Sequence, residues 1–223
     1  MFSNNVGHDN AGNVSGLALG KRLGAFLLLG FFNLIAPVIL YVDMVILQQE
    51  ISETSVTELL QESFLLLSLV FWLVIYFKNK DIRPFSALVA AFYGVLFIRE
   101  IDMFLDAIVH GFWKYPAVIV AILGISIAIK SWNITKKSLY FFLESPSGIF
   151  TAFGVLLVLF FSRLFGSSKI WEPIMGENYT YSYKAAIQEG VELYGYSIIF
   201  IGSLMALFNV FKKIKTPDSN RAN

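Results

Sequence analysis

Phe97-Ile-Arg-Glu-Ile-Asp-Met-Phe-Leu-Asp-Ala-Ile-Val-His-Gly-Phe-Trp-Lys114 fills an apolar run with charge at the point where a helix long enough to cross a membrane should be leaving it. At about 100° per residue, Arg99, Asp102, Asp106, His110 and Trp113 fall within roughly a quarter of the helix circumference, with Glu100 about 100° away. The apolar stretch before them, 85–98, gives only about 21 Å of helix at 1.5 Å per residue, short of the roughly 30 Å hydrocarbon core. Extending the span to Leu105 places Arg99, Glu100 and Asp102 at the membrane edge, where each charge costs up to about 3 kcal/mol unless paired or hydrated. The stripe therefore predicts charged partners on other helices.

Working outward, the whole chain reads as membrane-embedded. Of 223 residues, 57% are hydrophobic and 15% charged, with a mean hydropathy of +0.67. Soluble domains run at about 45–50% apolar and about 25% charged, and could not hide this much apolar surface. A net charge of +1, with lysines and arginines in small clusters between apolar runs, offers no basic field for nucleic acid. The absence of cysteine excludes disulfides, thiolate metal sites, iron–sulfur clusters and cysteine nucleophiles.

Residues 1–20, rich in Asn and Gly, are expected to be a disordered tail, and 213–223 a second tail. Between them, 21–212 is expected to be one all-α transmembrane domain. Its six spans fall at 23–47, 59–77, 85–105, 113–130, 148–165 and 193–211, each near the 17–25 residues a crossing requires. Pro37 predicts a kink in the first by freeing the carbonyl of Asn33. Separating alternate loops puts twelve lysines and arginines on one side, including Lys21, Lys78, Lys137 and Lys212, and five on the other. The positive-inside rule then places both termini in the cytoplasm of a multi-pass inner (plasma) membrane protein.

Twelve of the sixteen acidic residues belong to the opposite, outer half, among them Asp43, Glu50, Glu53, Glu58 and Glu62. Carboxylates contribute little to insertion, so this segregation is a property of the outer surface itself. Pro84 and Pro116 suit the starts of the third and fourth spans, which should form an antiparallel hairpin. Segment 131–147, with Lys136 and Lys137 beside Leu139-Tyr-Phe-Phe-Leu143, is expected to lie in the interface. The loop 166–188, carrying Trp171, Tyr179, Tyr181 and Tyr183, suits an aromatic belt or a lid.

On the last span, Glu189, Glu192 and Tyr196 form a stripe entering from the same side as Arg99. Asp43 and Arg163 also sit near outer helix ends. The candidate polar site is thus Asp43, Arg99, Glu100, Asp102, Asp106, His110, Arg163, Glu189, Glu192 and Tyr196. Three chemistries fit it. Arginine–carboxylate pairs could simply hold helices together. A divalent metal ion could sit on Asp102, Asp106, His110 and Glu192, since carboxylates with an imidazole suit hard or borderline metals. Buried carboxylates could instead serve as a proton relay or a substrate pocket.

His110 beside Gly111 is by itself a helix cap or an aspartate partner more often than a ligand. Trp113 and Tyr115 read first as interface anchors, and Gly195, Gly202 and Ser203 as small residues that permit close packing. With only His8 and His110, the chain lacks the three-histidine zinc set of ceramidase-like membrane hydrolases, and a bis-histidine haem would need a second subunit. The functional expectation is a non-enzymatic protein handling a cation or proton, in a transport-related or complex-subunit role. The alternative is a metal-dependent, hydrolase-like membrane enzyme at the outer interface. The bilayer is the expected surrounding, and a homo-oligomer or a larger membrane complex the expected partner.

Overall fold

The computed structural model describes residues 16–48 and 54–215, and among these there is helix and no strand. His8, Glu50, Glu53 and the C-terminal stretch 216–223 lie outside the described residues. Residues up to Ile35 form a first unit and those from Ala36 onward a second, larger one.

In the first unit, helix α1 (Gly16–Asn33) begins within the stretch expected to be a tail. It stops at Leu34, whose amide bonds to the carbonyl of Phe31, three residues before Pro37. Helix α2 (Ile35–Tyr41) follows and passes into a π turn, Val42–Ile46.

The larger unit is a bundle around α3 (Val56–Lys78), α4 (Arg83–Glu100), α6 (Lys114–Lys130), α8 (Pro146–Leu156) and α11 (Tyr181–Lys215). Helix α11 packs on α3 and α8, α4 on α3 and α6. The α3–α4 turn is closed by Arg83, whose Nε donates to the Tyr76 carbonyl at 3.1 Å while its guanidinium lies over the Tyr76 ring. Pro84 opens α4 and Pro146 opens α8, where the absent N–H has no helical partner to lose. The hairpin expected between the third and fourth spans is α4 with α6. At Ser131 the chain bends by 101° into α7 (Trp132–Glu144), and Thr135 Oγ1 clasps the corner by donating to the Ala128 carbonyl at 2.9 Å.

This bundle is arranged for lipid. Large apolar side chains point outward along α6 (Val118, Ile119, Ile122, Leu123) and α3 (Leu59, Leu66, Leu73), while Gln61, Ser68, Ser86, Thr151, Glu192, Ser197 and Ser203 are buried. A protein bathed in water has the reverse pattern. Among the described residues four helical stretches are long and apolar enough to cross a membrane, 56–78, 80–100, 146–165 and 181–212, and the bent α6–α7 pair makes a fifth if counted as one span. The first apolar run is not among them, because it is divided at Leu34.

Two elements differ from expectation. The span from Phe85 ends at Glu100, and a separate short helix, α5 (Asp102–Asp106), follows a break at Ile101. The charged residues thus mark the end of the helix instead of riding along it, and Gly111, at φ +80°, completes the reversal into α6. The last helix begins about a dozen residues before its apolar run, at Tyr181. The expected outer loop is therefore mostly helical, with α10 (Ser168–Met175) and a 3₁₀ turn at Gly176–Asn178.

Helix α8 meets α11 glycine to glycine. A Cβ on Gly154 would lie 2.7 Å from the Gly195 carbonyl oxygen and 3.0 Å from the Ile199 amide, and one on Gly202 would lie 2.9 Å from the Ser147 carbonyl. Gly190 differs, since its added Cβ meets only the tip of the Leu40 side chain. Gly154→Ala is expected to cost about 1–3 kcal/mol through overpacking against backbone, seen as a clear drop in the detergent melting temperature. Gly190→Ala is expected to change it less, because Leu40 can turn aside; equal losses would refute a backbone-limited crossing.

Candidate functional site

The site forms where the first turns of α3, the last turn of α4 and the first half of α11 meet. Arg99 and Glu100 occupy the end of α4, where a guanidinium is favoured by the unpaired carbonyls and a carboxylate is not. Glu100 is accommodated by two donors, the Arg99 guanidinium and the Tyr196 hydroxyl, both bonding its Oε1. Arg99 Nη2 also reaches Glu192 Oε2 of α11 at 3.7 Å. Glu192, only 2% exposed, accepts from Gln188 Nε2 at 3.3 Å, one turn earlier on its own helix.

A second branch runs to α3. Gln61, fully buried, donates through Nε2 to the Glu189 carbonyl at 3.0 Å and to Glu189 Oε2 at 3.2 Å, leaving its own Oε1 without a protein partner. Glu58, one turn before Gln61, also meets the Glu189 side chain, and Glu189 feels Glu192 and Glu100 electrostatically. Arg163, although exposed, acts on Glu192 in the same way, and Ser162 approaches that carboxylate. Both lie on the short helix α9 (Ser162–Phe165), directly after a π turn at Leu157–Phe161 that changes the face α8 presents.

Of the expected residues, the structure brings together Arg99, Glu100, Glu189, Glu192 and Tyr196, with Arg163 at the margin. Asp43 is elsewhere and does something different. It is fully buried in the π turn and caps α3, accepting from Val56 N at 3.1 Å, Thr57 N at 2.8 Å and Thr57 Oγ1 at 2.6 Å. Ser55 adds a second cap by accepting from Glu58 N at 3.2 Å. A carboxylate on otherwise unpaired amides at a helix start is among the stronger capping arrangements.

Asp102, Asp106 and His110 are not drawn in either. His110 is fully exposed and pairs locally with Asp106, Nδ1 to Oδ2, at 3.4 Å. Asp102 starts α5, where its charge suits the helix N-terminus. Among the described residues no three His, Asp or Glu side chains are grouped so as to hold a metal ion, so the set Asp102, Asp106, His110 and Glu192 is not assembled. The cause is the break at Ile101, which takes Asp102 and Asp106 off the helix that carries Arg99.

Sequence reasoning did not single out Gln61, Gln188, Glu58 or Ser162 as site residues. The i, i+3 pair Glu58 and Gln61 opening an apolar helix was the available signal for two of them. The π turn that aims Ser162 and Arg163 has no sequence signature. No protein-family model matches the chain, nor does any curated protein or solved structure.

The arrangement can pair, order and exchange charge. It gathers Glu100 and Glu192 at the Arg99 guanidinium and Glu189 beside Glu192, with Glu58 and Arg163 at the edge. In surroundings of low dielectric such a surplus of carboxylate is costly unless a proton or cation balances it.

Proposed function

We propose that this is a six-span inner (plasma) membrane protein with both termini cytoplasmic, whose outer cluster takes up a proton or a monovalent cation in a non-enzymatic, transport-related or complex-subunit role. The observation that carries the reading is the Glu192 carboxylate, almost wholly buried, with Glu100 and Glu189 beside it, the Arg99 guanidinium at 3.7 Å and Arg163 farther off at the margin. A purely structural network would match its charges, as this one does not.

Deeper in the bundle, polar groups continue inward. Tyr93 stands two turns below Glu100 on α4, and Ser203 two turns below Tyr196 on α11. Thr151 and Ser203 lie beside Tyr93, and the buried hydroxyls of Tyr93 and Thr151 have no protein partner. Buried sites of this kind hold water, and water there would suit proton movement from the cluster. The six-span arrangement rests on the lysine and arginine distribution and on the six apolar runs of the sequence, four of which, or five with the bent α6–α7 pair, are helices long and apolar enough to cross among the described residues.

Two experiments test this. The detergent melting temperature of the wild type should depend on pH between about 5 and 8, or on sodium against potassium, and Glu192→Gln should flatten that dependence, as should Glu189→Gln. Profiles of identical shape in wild type and both variants would exclude ion uptake at the cluster. For topology, a reporter fused after Arg221 should read as cytoplasmic; a signal from the outer side would invert the assignment.

A further inference from the structure

One turn in from the cluster, the interior of the bundle is closed by a single layer of apolar side chains, and beyond that layer it becomes polar again. The same order holds on each segment that contributes to it. On α3 it runs Gln61, Leu65, Ser68; on α4, Glu100, Leu96, Tyr93; on α11, Tyr196, Ile199, Ser203; and from α9 back into α8, Ser162, Val158, Thr151. Leu65, Leu96, Val158 and Ile199 each stand about one turn from the cluster residue of their own segment, and none is more than 6% exposed. A layer of aliphatic side chains at one level excludes water and so closes the way between two polar compartments.

Behind the layer stand three hydroxyls. Tyr93 is fully buried, with Ser203 of α11 and Thr151 of α8 beside it. The Tyr93 hydroxyl and Thr151 Oγ1 have no hydrogen-bond partner in the protein. Ser203 Oγ accepts from Trp72 Nε1 at 3.2 Å, which leaves the serine its own hydrogen to donate. Three hydroxyls gathered in this way supply the partners that an enclosed water needs. From Thr151 the polar groups continue one turn back along α8 to Ser147, whose Oγ lies 2.8 Å from Ser145 Oγ. Both serines, with Trp72, line a cavity of about 810 Å³ at the far end of the bundle, between the close of α3, the α3–α4 turn, α7 and the close of α11. Asp81, Lys137 and Asn209, all exposed, share that lining, so the cavity is open to water.

We infer that these groups form a proton path through the bundle, from the Glu192 carboxylate past a gate of Leu65, Leu96, Val158 and Ile199, then by Tyr93, Thr151 and Ser203 to the serines of the far cavity. The inference rests on the reading of the cluster as a site of ion uptake, and it fixes the ion as a proton. A hydroxyl both donates and accepts, so a row of hydroxyls and water hands a proton on by exchanging hydrogen bonds. A metal cation would have to give up its hydration shell for three neutral hydroxyls, which is costly in a buried site. At the entrance Glu192 is met by Arg99 and Glu100 from α4, by Arg163 from α9 and by Glu189 of its own helix, and Glu58 of α3 meets Glu189. Each proton taken from water at the cluster is released to water in the cavity, and passes when the gate parts.

The test uses the full chain in phosphatidylcholine vesicles that enclose a pH-sensitive dye, with a potassium gradient and valinomycin setting the driving potential. Leu96→Ala, which thins the gate, should carry protons several-fold faster than the wild type. Ile199→Val, the milder change, should act in the same direction. Tyr93→Phe added to Leu96→Ala should return the rate to that of protein-free vesicles. Leu66→Ala, on the exposed face of α3, should stay at the wild-type rate, which separates a gate from a loosened bundle. None of these changes touches a cluster carboxylate, so the pH dependence of the detergent melting temperature should persist in all of them. No gain in Leu96→Ala or Ile199→Val, an equal gain in Leu66→Ala, or an undiminished rate with Tyr93→Phe would each overturn the path while that pH dependence stands. A melting temperature that responds to sodium against potassium and not to pH would keep ion uptake at the cluster and overturn the proton path; a response to neither would overturn both.

Discussion

The Arg99 guanidinium, held between Glu100 of its own helix and Glu192 of α11, is the interaction on which this end of the bundle depends. Apolar packing gives helices in lipid little preference for one another, because the tails are as apolar as the side chains. What then selects a partner is polar pairing and close fit. At the Arg99 end the pairing is ionic and joins α4 to α11, while Gln61 joins α3 to α11 through the Glu189 backbone and side chain. Further in, the glycine crossing of α8 and α11 and the Trp72 to Ser203 bond serve the same end by geometry.

Helix α11 is common to all of these contacts. At 1.5 Å per residue its 35 residues extend about 52 Å, well past a hydrocarbon core of roughly 30 Å. Its early turns carry Gln188, Glu189 and Glu192 to the ionic cluster, its middle carries Gly195, Gly202 and Ser203 to the close crossing, and its far end carries Asn209 and Lys212 to the cavity beside α7. One helix therefore links a carboxylate-rich end to a lysine-rich end, the same polarity that the charge distribution along the chain displays.

Much of this was legible in the sequence, and the reasons for what was not are local. Long apolar runs mark α3, α4 and α11 because covering a bilayer core takes many consecutive apolar residues, and Pro84 marked the start of α4 because that ring fits a helix without loss only in its first turn. Arg99 with Glu192 could be anticipated because charge at a membrane edge needs a partner on another helix. The extension of the helical stripe to Asp102, Asp106 and His110 assumed an unbroken helix, and the break at Ile101 removes that register. Asp43 was legible as polar and out of place but not as a cap, since the amides it serves belong to residues 56 and 57, across a connection with no periodicity. The π turns before Ser162 and around Asp43 come from packing, and no residue pattern announces them.

The most direct measurement is a double-mutant cycle on the stability of the purified protein, using Arg99→Ala, Glu192→Gln and the pair. Removing Arg99 alone should be strongly destabilising, because it leaves two acidic partners uncompensated. The account predicts that Glu192→Gln then costs much less, or stabilises, in the Arg99→Ala background, with a coupling of at least about 1 kcal/mol. Strictly additive effects would contradict it, because Arg99 and Glu192 would then not be acting on each other and the ionic cluster would not be what joins α4 to α11.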